Sequence, residues 1–107
     1  ALNDSTRFIS PTKTLEYLAA GRPCVSTRIR DVAEPHGAVV DIADDAAGFV
    51  AACERILAWS DAERAAFRAR AEAHLAGGSW DQSVARIEEL LARFEPQAAA
   101  EPVLQAA

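Results

Sequence analysis

Apolar residues recur at helical spacing over most of this chain and at strand spacing over very little of it. Beyond Asp44, the series Ala46, Phe49, Val50, Cys53, Ile56 and Leu57 keeps intervals of three and four, predicting a helix with one buried face capped by Asp44 or Asp45. Ser60-Asp61-Ala62-Glu63 has the form of a capping box and opens a helix whose apolar side is Phe67, Ala71 and Leu75, stopped by Gly77-Gly78. A second such start, Ser79-Trp80-Asp81-Gln82, leads into Val84, Ile87, Leu91 and Phe94 on one face. Nearer the beginning, Ser10 reads as an N-cap, Pro11 as the first helical residue and Gly21 as the stop, with Leu15, Leu18 and Ala19 as the inward stripe. Extended runs are short: Pro23 to Thr27, and Ala38 to Ile42. The segment between them is charged and interrupted by Pro35 and Gly37, so it predicts a loop with at most one helical turn.

Helix, strand, short crossover and strand form the grammar of a parallel α/β sheet, here followed by a helix-rich C-terminus. Four or five helices accompany two strands, and two strands cannot bury both faces of a parallel sheet. The missing strands are expected upstream of this chain. An unpaired sheet edge would then favour a homodimer or a strand-swapped dimer of the piece. From Glu95 the periodicity fades, so residues 1–95 read as a partial domain and 96–107 as a tail or linker.

Charge and composition narrow the partners. Eleven Lys and Arg against sixteen Asp and Glu leave −5, which offers no broad footprint for nucleic acid; any anion must be met locally. No apolar run approaches the roughly 20 residues of a membrane span. The chain is expected in the cytoplasm, with peripheral membrane association open to a full-length protein. Cys24 and Cys53 sit singly in apolar patterns, as reduced core thiols do, and His36 and His74 have no ligand-spaced companions, so no metal is expected. Both histidines read as structural or solvated, and Trp80 and Phe94 as core. The chain contains no methionine and opens on a polar stretch after Ala1, which reads as a piece of something longer. Ten of the eleven basic residues are arginine, which makes Lys13 the only lysine.

Lys13 falls in the first turn of the first helix, between Thr12 and Thr14, where a cation opposes the helix dipole. The other capped helices place Asp45, Asp61 with Glu63, and Asp81 at the corresponding point. An external anion would resolve the conflict, since helix-start N–H groups after a loop at the carboxyl edge of a parallel sheet make a phosphate site. The plainer reading is a solvated Lys13 paired with Glu16 one turn on. If a phosphate does bind there, Glu16 is placed to accept hydrogen bonds from ribose hydroxyls.

The run Ser10-Pro11-Thr12-Lys13-Thr14-Leu15-Glu16-Tyr17-Leu18-Ala19-Ala20-Gly21-Arg22-Pro23-Cys24-Val25-Ser26-Thr27 resembles the donor-site segment of group-1 glycosyltransferases of the GT-B type, which have two Rossmann-like domains. Strand, loop, strand and terminal helices with Ser79-Trp80 extend the resemblance over residues 3 to 94. It implies the C-terminal half of a Rossmann-like donor domain, a nucleotide-diphosphate sugar as donor, an acceptor that is not specified, and no further cofactor. It also implies that backbone amides of Thr12, Lys13 and Thr14 bind the donor diphosphate and that Glu16 binds the ribose. Many such enzymes carry a second glutamate eight residues earlier, which holds the sugar. Phe8 stands there, and a phenyl ring cannot accept those hydrogen bonds. Asn3, Ser5, Thr6 and Arg7 are the nearby polar candidates for sugar contact. The expected function is therefore the donor-binding part of a hexosyltransferase, inactive by itself. The rivals are a fragment of a sugar-nucleotide epimerase of the same fold and a non-catalytic interaction module.

Overall fold

A computed structural model describes residues 2–94. The chain divides into two units, Ala1–Gly77 and Gly78–Ala107. The first is mixed α/β: α1 (Lys13–Ala19), β1 (Val25–Thr27), α2 (Arg30–His36), β2 (Asp41–Ala43), α3 (Ala46–Leu57) and α4 (Asp61–Leu75). The second contains α5 (Trp80–Ala92). The expected tail at 96–107 lies outside the described residues.

The strands β1 and β2 pair in parallel, with Val25 opposite Asp41, Ser26 opposite Ile42 and Thr27 opposite Ala43. Parallel strands need a crossover, and α2 supplies it. This segment was expected to be a loop. Pro35 removes one N–H from the last turn of α2, but Val32, only 1% exposed, anchors the helix in the core, and that burial outweighs the lost bond. Both strands are shorter than the extended runs that foretold them, and Val39 and Val40 precede β2.

The buried cluster is Leu18, Val32, Val40, Phe67 and Ala71, with Cys24, Ile29, Val39, Ile42, Trp59 and Leu75 packed against it. Strand alternation separates Ile42, which joins this cluster, from Ala43, which is buried outside it and lies beside the start of α3. The helix α3 packs on both strands and α1 packs on α4.

Two helices turn different faces inward than their spacing suggested. In α1 the buried pair is Thr14 and Leu18, and Leu15 is 46% exposed. In α3 the buried residues are Ala52 and Ile56, while Phe49, Val50 and Leu57 face outward. A wide apolar arc was read correctly, but packing used only one margin of it. The inward face of α4 is as expected, with Phe67 and Ala71 buried. In α5 no residue is buried; Trp80 and Phe94, expected in a core, are exposed.

The caps explain where the helices begin and end. Asp45 accepts from the Gly48 N–H, Ser60 and Glu63 complete a reciprocal capping box, and Ser79 accepts from the Gln82 N–H. The first helix starts two residues later than Ser10-Pro11 suggested, with Thr12 at its cap and no side-chain cap bond. It ends in a Schellman arrangement: Gly21 N–H donates to Leu18 O, Arg22 N–H donates to Tyr17 O, and Gly21 has φ 64°. A methyl group at Gly21 would also stand 2.9 Å from Cγ of Arg68.

Two stability outcomes are expected in urea unfolding. Phe67→Ala, which empties the centre of the cluster, should cost about 3–5 kcal/mol. Gly21→Ala should cost about 1–2 kcal/mol through its left-handed backbone, and crowding of Arg68 should add to that.

Candidate functional site at the carboxyl end of the strands

Crossover connections leave the carboxyl ends of parallel strands open, and loops from several elements meet there. Thr27 ends β1, and the segment Arg28, Ile29 and Arg30 leads directly into α2. A cavity of about 300 Å³ opens at this point, lined by Leu2, Asn3, Thr6, Arg7 and the three residues after the strand. A second, mainly apolar cavity of about 480 Å³ also touches Leu2 and reaches Thr27, Asp44 and the exposed Phe49 and Val50 of α3.

Local hydrogen bonds hold the opening polar stretch. Thr6 N–H donates to Asn3 Oδ1 at 3.0 Å, Asn3 N–H donates to Thr6 Oγ1 at 3.0 Å, and the Thr6 N–H also reaches Asn3 O. This reciprocal turn sets Thr6 and Arg7 against the end of β1. Of the proposed sugar contacts, Asn3, Thr6 and Arg7 line the cavity and Ser5 does not.

The cations around the cavity are mostly balanced. Arg28 grips Asp44 through two bonds, Nε to Oδ1 at 2.6 Å and a terminal nitrogen to Oδ2 at 2.9 Å. That contact raises the Arg28 guanidinium above its ordinary value and lowers the Asp44 carboxyl below its own, chiefly through the side-chain hydrogen bond. Arg30 Nε donates to Asp31 at 2.9 Å. Among the described residues Arg7 has no carboxylate partner. Its guanidinium lies 5.4 Å from the Phe8 ring centre, and Arg30 lies 5.5 Å from the same ring. Phe8 therefore gathers two cations, whereas the glutamate that the resemblance leads one to expect there would have paired with one.

The helix-start residues fall differently. Thr12 and Lys13 are exposed, as is Glu16 one turn on, while Thr14 is 6% exposed and its side chain is part of the packed face. Among the described residues Lys13 forms no ion pair, so the Lys13–Glu16 bridge is not formed. The contrast between helix starts is narrower than the sequence suggested. Asp45 is itself the cap of α3, and Glu16 belongs to the first turn of α1.

A histidine pair was missed. His36 at the end of α2 and His74 in the last turn of α4 are 38 positions apart, yet His36 Nδ1 and His74 Nε2 are 2.9 Å apart. Their rings meet edge to face with centres at 5.2 Å. Nothing local in the sequence signals such a contact. One ring donates and the other accepts, so the bond requires at least one neutral imidazole. Burial, and then the neighbouring His74, holds His36 below the ordinary histidine value. Burial likewise raises the Cys24 thiol, which suits a packed and unreactive sulfur. Among the described residues no three His, Cys, Asp or Glu side chains are grouped to hold a metal, and no helix is long and apolar enough to cross a membrane.

No protein family, curated protein or solved structure matches this chain.

The histidine pair sets a pH dependence. With the folded value of His36 below that of the unfolded chain, the pair's stabilisation is complete above about pH 6.5 and is lost as pH falls through that value toward the folded one. The urea midpoint should therefore fall more steeply between pH 7.5 and 5.5 in the natural chain than in His36→Asn. Equal slopes would show that the pair makes no such contribution.

Proposed function

We propose that this chain is the donor-binding part of a glycosyltransferase that uses a nucleotide-diphosphate sugar, built as the C-terminal half of a Rossmann-like domain. The observation that carries this reading is the cavity at the carboxyl end of β1, where Thr6 and Arg7 meet Arg28 and Arg30. Ligands of parallel α/β sheets bind at that edge. The resemblance of the Ser10 to Thr27 run supports the same reading, and so does Lys13, exposed and without an ion pair among the described residues.

The proposed chemistry is electrostatic. The amides of Thr12, Lys13 and Thr14, with the Lys13 ammonium, stabilise the diphosphate as it takes up negative charge on leaving. Glu16 accepts hydrogen bonds from the ribose and so fixes the position of the sugar. Because Thr14 is buried, its share comes from the backbone N–H, and the accessible hydroxyl of the turn is that of Thr12. Thr6 and Arg7 face the sugar end; Ser5 is the weaker candidate because it does not line the cavity. The acceptor and its binding region belong to a longer protein, and nucleic acid is not a partner.

Binding decides the reading. In calorimetric titration of the longer protein with uridine and guanosine diphosphates, Lys13→Ala and Glu16→Ala should each weaken binding about tenfold, as lost charge-assisted hydrogen bonds do. Undiminished binding in both variants would remove the donor site from this helix. Absence of any nucleotide binding would favour the non-catalytic module, and interconversion of labelled donors without transfer would favour the epimerase.

A further inference from the structure

We infer that a phosphoryl group binds at a second place, the amino-terminal side of β1, in a cavity of about 290 Å³ between the end of α1 and the face of α4. Its walls include Arg22, Arg64 and Arg68, together with Pro23, Trp59 and Gly21. No carboxylate lines it. Among the described residues none of the three arginines forms an ion pair, in a chain whose net charge is −5.

The convergence is built by the fold. Arg64 and Arg68 are one turn apart on α4, a like-charge spacing that is unfavourable in itself. Arg22 is brought to them by the Schellman turn that ends α1. Gly21, with no side chain, leaves the room that the Arg68 stem occupies: an added methyl group would lie 2.9 Å from its Cγ and 3.2 Å from its Cδ. Arg64 spends one nitrogen on a long bond to Leu57 O, 3.4 Å, and its remaining donors are uncommitted among the described residues. At the end of α1 the carbonyls of Glu16, Tyr17 and Leu18 accept from the N–H groups of Ala20, Arg22 and Gly21. Three guanidinium groups without a carboxylate partner match the three-oxygen face of a phosphate better than the two-oxygen edge of a carboxylate. Trp59, half-buried and 5.5 Å from Phe67 between ring centres, stiffens one wall.

This site is separate from the donor-site reading and does not depend on it. The same phosphoryl chemistry could be presented by a soluble ion or ester or by a lipid headgroup. The test therefore has two arms, both on this chain at constant ionic strength. In the first, inorganic phosphate is titrated against the labelled protein by NMR, with acetate as the control. Phosphate should shift the amides of residues 20–23 and 64–68, acetate should not, and Arg22→Gln and Arg68→Gln should each weaken the binding read at those amides about tenfold. In the second, sedimentation with phosphatidic acid vesicles reads the lipid source, against neutral phosphatidylcholine vesicles. Phosphate shifts without sedimentation assign a soluble ligand; sedimentation lost in both arginine variants assigns a headgroup. The inference is overturned if neither arm shows binding, if acetate acts as phosphate does, or if the arginine variants bind normally. It is also overturned if the phosphate shifts fall only on residues 12–16. The same spectra report folding, and Arg22, which lies in a turn, provides the reading if Arg68→Gln unfolds.

Discussion

The first unit depends on the seam where α1 lies against α4. Two three-residue strands provide too little surface to bury a core between them, so the helices must supply it. Leu18 enters the cluster from α1, Phe67 and Ala71 from α4, and Val32 from the crossover helix. Ala71, 0% exposed, has only a methyl group to fit into the closed seam. Phe67 fills the volume beside it and also supports Trp59. The pairing of β1 with β2 is thus held from outside, by helices at both its approaches and by α3 on both strands.

Much of this architecture was legible, and the parts that were not have identifiable causes. The capping residues of α3, α4 and α5 were readable because each is a local contest, settled within four residues by a side-chain oxygen and an N–H group. Gly21 was readable for the same reason. The start of α1 was not, since Ser10-Pro11 satisfies the same local rules as Thr12, and the cap that formed has no side-chain bond to favour it. The crossover helix was hidden because Pro35 and the charges around it speak against a helix, and the counterweight is Val32 burying itself against residues remote in sequence. Buried faces failed for a related reason: periodicity shows that α3 has an apolar arc, but only its docking on the strands shows that Ala52 and Ile56 are the inward margin.

The candidate sites show the same division. Thr6 and Arg7 were suspected for their nearness to Phe8, where the resemblance implies a sugar-holding glutamate, and the reciprocal turn with Asn3 sets them on the cavity beside β1. Arg28 and Arg30 could be placed at the end of a strand from sequence, but their neutralisation could not. Asp44 pairs with Arg28 only because the parallel register ends β1 and β2 side by side, Thr27 opposite Ala43. Asp41, at the beginning of β2, meets Arg55 because α3 packs back on the strands. The His36–His74 contact and the Arg22–Arg64–Arg68 convergence join the first half of the unit to α4, and neither has a sequence signature.

Charge is therefore unevenly spent. At the carboxyl end of β1 two of three arginines are matched by Asp44 and Asp31, which leaves a surplus near one unit. At the amino-terminal side the three arginines form no ion pair among the described residues. No carboxylate lines that cavity; Glu72, one turn beyond Arg68 on α4, lines the neighbouring cavity with Arg68 and forms no ion pair with it among the described residues. The proposed donor helix start and the arginine cavity are joined by one short element. Seven residues of α1 span about 10 Å at 1.5 Å per residue, with Lys13 at one end and the turn that presents Arg22 at the other. A packed helix of that length moves as a body, so damage at Leu18 or Phe67 reaches both ends at once. Exposed residues, Lys13 at one end and Arg22 at the other, are the positions at which the two proposed sites can be separated.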